Sequence, residues 1–269
     1  MTDASNEPVA ADAADAPEPV SDPAAAAGAR PAGDGDRLYF RQLLCGRDIA
    51  ATDRLAREMR NFVYLVGDRE TGEAVVIDPA YDIKGILGVA EADGMRITGA
   101  LATHYHPDHI GGDMMGYTIS GVRELLALHP VPIHVQADEA PWIQRTTDTS
   151  TTDLVEHASG DVVMVGAIPI ELIHTPGHTP GSQCFFVDNR LVAGDTLFLE
   201  GCGRTDLPGG DPAALYDSLH TKLDKVPDSA VLFPGHLYSP EPSATMADTR
   251  KWNYVFKPRN VEEWLRMFG

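Results

Sequence analysis

The sequence is poor in cysteine, in positive charge and in long apolar runs, and each shortage removes a class of protein. Its three cysteines, Cys45, Cys184 and Cys202, show no Cys-x-x-Cys spacing and cannot build a disulfide framework. A reducing, intracellular setting is therefore expected. Lysine and arginine number 21 against 40 aspartates and glutamates, a formal net charge of −19. Such a surface repels phosphate backbones and anionic lipid, so neither nucleic acid nor membrane is expected as a partner. No run approaches the roughly 18 apolar residues that span a bilayer. The N-terminus carries neither the basic start nor the apolar stretch of a secretory signal, and a cytoplasmic location is expected.

Residues 1–37 are rich in Ala, Pro, Asp and Gly and hold eight acidic residues against Arg30 and Arg37. They offer too little apolar surface to offset chain entropy and are expected to form a disordered tail. From Leu38 onward the texture is that of a folded domain, expected to run over 38–269. Strands are predicted at 38–44, 62–66, 74–77, 97–102, 132–136, 161–165, 168–174, 183–187, 190–193 and 230–233. The polar turn 67–72 predicts a hairpin between the second and third. Helices are predicted at 82–93, 121–128, 137–144, 211–223, 241–251 and 260–267. Strands fall in two groups, each accompanied by helices, which points to two packed sheets with helices outside, an α/β (α+β) domain.

The chemistry concentrates in Thr103-His104-Tyr105-His106-Pro107-Asp108-His109. Four ligand-type side chains lie within six residues, on a loop that follows a buried strand. Imidazole and carboxylate suit Zn²⁺, Fe²⁺ or Mn²⁺. Catalytic zinc usually keeps three protein ligands, so four in one loop imply either supporting roles or a second ion. Further ligand types follow at strand ends beside Gly or Pro: His178 in Thr175-Pro176-Gly177-His178-Thr179-Pro180-Gly181, Asp195 after Gly194, and His236 after Pro234-Gly235. His129, His134, His157 and His220 lie outside these motifs and read as surface or packing residues. His174, four residues before His178 on a strand, is expected to face elsewhere.

These motifs, in this order across about residues 38–238, resemble the metallo-β-lactamase superfamily. The resemblance implies a four-layer αββα sandwich with two divalent metal ions, zinc foremost and iron or manganese as alternatives. It assigns His104, His106 and His178 to one ion, Asp108, His109 and His236 to the other, and Asp195 to a bridge. Asp78, at the end of Val76-Ile77-Asp78-Pro79, resembles a position that supports the ligands from behind. The commonest true β-lactamases carry Cys where this chain has Asp195 and are exported, which argues against that activity. Two cations sharing Asp195 would supply hydroxide near neutral pH, with Asp108 as the catalytic group that orients it.

The segment Gly201-Cys202-Gly203-Arg204 resembles glyoxalase II thioesterases and persulfide dioxygenases. The resemblance assigns Arg204 and Tyr238 to the carboxylate or backbone of a thiol carrier; on chemistry alone, Arg204 could equally serve a structural ion pair. Cys202 reads as a small packing residue rather than a nucleophile. Two departures from glyoxalase II stand out: only 33 residues follow His236, and Asp206 replaces an aromatic residue. Asn253-Tyr254-Val255-Phe256-Lys257-Pro258-Arg259 also differs in spacing from the Asn-Pro-Arg ending of the dioxygenases. Residues 113–122 and 137–157 are expected to form a lid or a subunit contact, the latter giving a homodimer. The expected activity is a glyoxalase II-like metallo-hydrolase cleaving a thioester of a small-molecule thiol carrier. The alternative is a mononuclear-iron persulfide dioxygenase using His104, His178 and Asp195, and a third is a lactonase.

Overall fold

A computed structural model of the chain describes residues 37–269. The predicted tail lies outside the described residues except for Arg37. Its guanidinium forks onto the buried Asp68 carboxylate at 2.9 and 2.7 Å, so Arg37 is part of the domain's edge.

In chain order the strands are β1 (Leu38–Leu44), β2 (Phe62–Asp68), β3 (Glu73–Ile77), β4 (Arg96–Leu101), β5 (Gly112–Met114), β6 (Tyr117–Ile119) and β7 (Ile133–Gln136). They continue as β8 (Leu154–His157), β9 (Val162–Val165), β10 (Ile168–His174), β11 (Gln183–Val187), β12 (Arg190–Gly194), β13 (Val231–Pro234) and β14 (Ala244–Thr245). The helices are α1 (Arg54–Met59), α2 (Ile83–Ala92), α3 (Pro107–Ile110), α4 (Val122–Leu128), α5 (Ala140–Thr147), α6 (Pro212–Asp217), α7 (Met246–Trp252) and α8 (Val261–Phe268). One sheet has the order β1-β2-β3-β4-β7-β8 and the other β14-β13-β12-β11-β10-β9.

Alternation along the strands builds the layers. In β2, Phe62, Tyr64 and Val66 point between the sheets, where they meet Val163, Ile170, Leu172 and Phe185 of the second sheet. Val63 and Leu65 point the other way, into a core shared with Ala56 of α1, Ile83 and Ile86 of α2, Leu125 of α4 and Ile143 of α5. The second sheet's outer face, through Cys184, Leu191 and Leu232, packs on Leu215, Met246 and Trp264 of α6, α7 and α8. A strand buried on both faces reads as an unbroken apolar run. The result is the expected helix–sheet–sheet–helix sandwich.

Most predicted elements fall within one or two residues of their places. The differences have local causes. The predicted helix over 211–223 stops being α-helical at Asp217 and continues as a wider turn over 218–222. Predicted 241–251 is helical only from Met246: Ala244–Thr245 form strand β14, and Thr245 caps α7 by accepting from Asp248 N–H. Residues 113–122 contain the hairpin β5–β6, and 137–157 supplies α5 and then β8, which extends the first sheet in parallel with β7. Among the described residues, no helix is long and apolar enough to cross a membrane.

Candidate metal centre

Five chain segments converge at one edge of the sandwich. Strand β3 ends at Asp78, β4 runs into Thr103–His109, the β10–β11 turn carries His178, β12 ends next to Asp195 and β13 next to His236. Gly235 lets the last two meet: a Cβ there would collide with Asp195 Oδ1.

The seven side chains assigned by resemblance come together. His106 Nδ1 lies 3.0 Å from His178 Nε2, and the His104 ring sits 4.7 and 4.8 Å from the rings of His106 and His178. In the other half, His109 Nε2 and His236 Nε2 are 3.2 Å apart, and Asp108 Oδ2 is 3.6 and 3.4 Å from them. Asp195 spans both halves: Oδ1 is 3.3 Å from His109 Nε2, and Oδ2 is 3.7 Å from His178 Nε2 and 3.4 Å from His236 Nε2. The ligand atoms of His104, His106 and His178, and separately those of Asp108, His109 and His236, lie within 4.8 Å of one another.

The opposite ring nitrogens are held by the protein. His109 Nδ1–H donates to Asp78 Oδ2 (2.9 Å) and His178 Nδ1–H to the Arg204 carbonyl (2.7 Å). His236 Nδ1–H donates to the Met59 carbonyl (2.8 Å). Thr103 donates its backbone N–H and its hydroxyl to Asp78, at 2.7 and 2.6 Å, and its oxygen then accepts from His104 Nδ1–H at 2.9 Å. Each such bond fixes a tautomer whose Nε2 lone pair faces the centre.

Three buried atoms at the centre, His104 Nε2, His106 Nε2 and Asp195 Oδ1, have no hydrogen-bond partner. Buried polar atoms are rarely left so, and a cation among these nitrogens and oxygens would satisfy His104 Nε2 and Asp195 Oδ1. The donor set of five imidazoles and two carboxylates, without thiolate, fits Zn²⁺, Fe²⁺ or Mn²⁺.

The electrostatics divide the site. Burial pushes His104 well below its ordinary value, and burial with the neighbouring His178 pushes His106 down to about 4. These rings are neutral and ready as ligands. Burial works the same way on His109, but the Asp195 and Asp108 carboxylates outweigh it and raise that imidazole. Burial also opposes the Asp195 charge, but His236 and His109 hold the carboxyl well below its usual range. Without cations, protons carry out the pairing that metal ions would replace.

Two residues at the centre escaped the sequence reading. Asn61, buried just before β2, donates from Nδ2 to Asp108 Oδ2 at 3.1 Å, and Tyr81 O–H donates to Asn61 Oδ1 at 3.2 Å. Neither lies in a ligand motif. Their only signal was a polar residue abutting the apolar run 62–66 and a tyrosine three residues after Asp78.

The two residues assigned to substrate differ in setting. Tyr238 stacks on His236 with ring centroids 4.7 Å apart and planes 6° apart, and it is 54% exposed at the rim. The Arg204 side chain forks onto Asp206 with two bonds of 2.6 Å, the ion-pair role that chemistry alone had left open. Cys202 is pushed up to about 12 by burial, and its thiol is a packing group. His174 bonds the Pro180 carbonyl (2.9 Å) and faces away from the centre. His129 and His220 bond the Ile97 and Val255 carbonyls, and His134 pairs with His157.

A four-layer sandwich carrying paired His/Asp ligand sets at one sheet edge defines a class of metal-binding proteins. The family model described as "Metallo-beta-lactamase superfamily" matches residues 56–236, and the chain belongs to that superfamily. It is similar to the mitochondrial persulfide dioxygenase ETHE1 of Homo sapiens, at 31% identity over 77% of this chain and 76% of that protein. It is also similar to the hydroxyacylglutathione hydrolase of Nitrosococcus oceani, at 36% identity over 68% of this chain. The chain spans 64% of that hydrolase's length. Among solved structures, ETHE1 from Myxococcus xanthus matches with a TM-score of 0.69 and 26% identity, covering 86% of this chain and 89% of that one. Proteins named for each of the two activities are thus among its relatives.

Proposed function

We propose that the domain from Leu38 to Gly269 is a metal-dependent hydrolase that cleaves a thioester, or a similar acyl ester, of a small thiol carrier. The observation that carries this reading is the Asp195 carboxylate, which faces the His104–His106–His178 set and the Asp108–His109–His236 set at once. The second set gives a second divalent ion its ligands, whereas a single ion held by His104, His178 and Asp195 would leave that set unused. The seven positions alone are compatible with both activities, and metal content with the two assays below separates them. These residues would hold two divalent ions, which when bound would supply deprotonated water near neutral pH and Lewis acidity toward the acyl oxygen.

The chain's own residues do the rest. Asp108, aimed by Asn61, orients the attacking water. Burial of the ligand histidines keeps bulk water from competing for those positions. Tyr238 offers a ring face at the rim. A cavity of about 210 Å³, lined by Cys202, Arg204, Asp206, Tyr254 and Phe268 among others, is of a size for part of a small carrier. A carrier carboxylate reaching Arg204 must exchange with Asp206 for the guanidinium fork.

Persulfide oxidation is the second reading, favoured by the 89% coverage of the Myxococcus xanthus ETHE1 chain, against 64% of the hydrolase's length. Purified protein loaded with Zn²⁺ or with Fe²⁺ is assayed for hydroxyacylglutathione cleavage and for O₂ uptake on glutathione persulfide. Thioester cleavage without O₂ uptake is expected. O₂ uptake with iron and no thioester cleavage would replace hydrolysis with oxidation.

A further inference from the structure

Glu139 stands at the N-terminal boundary of α5, where a side chain ordinarily caps the helix, yet it makes no such bond. Its carboxyl is instead buried, with the residue 1% exposed, and turned toward the metal centre's outer frame. Oε1 accepts from Tyr105 N–H at 2.7 Å and from Thr179 O–H at 2.8 Å, and Oε2 accepts from Gly181 N–H at 2.6 Å. Tyr105 lies between His104 and His106, and Thr179 follows His178 directly. One carboxylate therefore joins the two loops that supply one ligand set. Trp142 stacks on Tyr105 at 4.9 Å beside this junction, and Tyr105 O–H donates to the Pro208 carbonyl. The Glu139 carboxylate bonds neither His109 nor His236; His109 is held from behind by Asp78 instead.

We propose that Glu139 is a positioning residue for the His104–His106–His178 half of the centre, fixing the separation between the loop that carries His104 and His106 and the turn that carries His178. The inference rests on reading the centre as a metal site. Bonds to a carboxylate are shorter and stronger than neutral ones, and three of them converge where a loop could otherwise drift. Glutamine cannot replace the carboxylate here. With its oxygen at the Oε1 position, its amide N–H₂ confronts the Gly181 N–H, donor against donor. With the amide turned over, the Tyr105 N–H loses its acceptor. Either way the His106 Nδ1 to His178 Nε2 spacing of 3.0 Å loses its brace.

The test uses the full chain stripped of metal and titrated with Zn²⁺ alone against a competing chelator. Glu139→Gln is measured in two backgrounds: His236→Ala, which leaves the His104–His106–His178 half, and His178→Ala, which leaves the other. Loss of an outer partner typically weakens metal affinity by ~10–100-fold. That loss is expected in the first background, with less than about threefold change in the second. A difference between backgrounds of about threefold or more supports the positioning role, and any smaller difference overturns it. Thr179→Val removes one donor and leaves the carboxylate in place, which keeps the test open should Glu139→Gln fail to fold. It is expected to weaken the first background at least about threefold more than the second, and equal effects overturn the proposal. Failure of the unsubstituted chain to bind Zn²⁺ overturns the metal reading along with it, whereas failure of the background difference alone overturns only the role of Glu139.

Discussion

Replacing Asp78 by Asn isolates the support behind the ligands. Asp78 adopts a left-handed backbone, φ 55°, which Asn tolerates as well as Asp, so the exchange adds no backbone strain. The carboxylate accepts three bonds: Thr103 N–H on Oδ1, and Thr103 O–H and His109 Nδ1–H on Oδ2. Asn has one oxygen for these two positions. With that oxygen at Oδ2, its N–H₂ faces the Thr103 N–H and leaves a buried donor unmatched. With the amide reversed, its N–H₂ faces His109 Nδ1, which must then accept, and the ring proton moves to Nε2, where the metal-facing lone pair should be. An unmatched buried donor costs about 1–3 kcal/mol. For a domain of this size, the metal-free protein should melt roughly 2–4 °C lower per kcal/mol. Affinity for Zn²⁺ should fall by ~10–100-fold. Thermal unfolding of the metal-free protein and Zn²⁺ titration against a chelator read the two effects separately. A variant that melts with the unsubstituted protein and binds Zn²⁺ within about threefold of it would refute the reasoning.

Arg204→Ala should raise KM for the thioester with little change in kcat if the guanidinium leaves Asp206 to grip the carrier, and steady-state kinetics shows which parameter moves. Trp264 is fully buried and donates from Nε1 to the Pro212 carbonyl at 2.7 Å, so Trp264→Ala should cost about 3–5 kcal/mol, measured by urea unfolding. The Arg37 fork holds the buried Asp68 carboxyl well below its ordinary value. A lowered carboxyl stabilises the fold above its unfolded pKa and loses that contribution as pH falls through the folded one. Arg37→Ala should therefore lower the melting temperature at neutral pH and narrow the gap to the unsubstituted protein as acid is added below about pH 4. An equal gap at every pH would show that Asp68 does not depend on Arg37.

The layers were legible because burial on both faces leaves a plain mark: β2 reads Phe-Val-Tyr-Leu-Val, and its alternate residues serve two different cores. The ligand positions were legible because they recur at strand ends beside Gly and Pro. What escaped depends on contacts far apart in the chain. Helix α1 has six residues and buries only Ala56, too little periodicity to read. Strand β8 has exposed Val155 and Glu156, and only its pairing with β7 makes it a strand. Asn61 reaches Asp108 across 47 positions and Glu139 reaches Gly181 across 42, and neither separation leaves a local pattern. An ion pair for Arg204 was left open by its chemistry, but Asp206 as the partner, two residues on, comes from the structure.

The most direct test of the centre is the number of ions it holds. The chain, stripped by a chelator, dialysed and reloaded with Zn²⁺, is analysed by mass spectrometry of the intact native protein. Two zinc ions per chain are predicted, with one lost in His178→Ala or His236→Ala. A single ion in the unsubstituted protein, unaffected by His236→Ala, would contradict the paired centre.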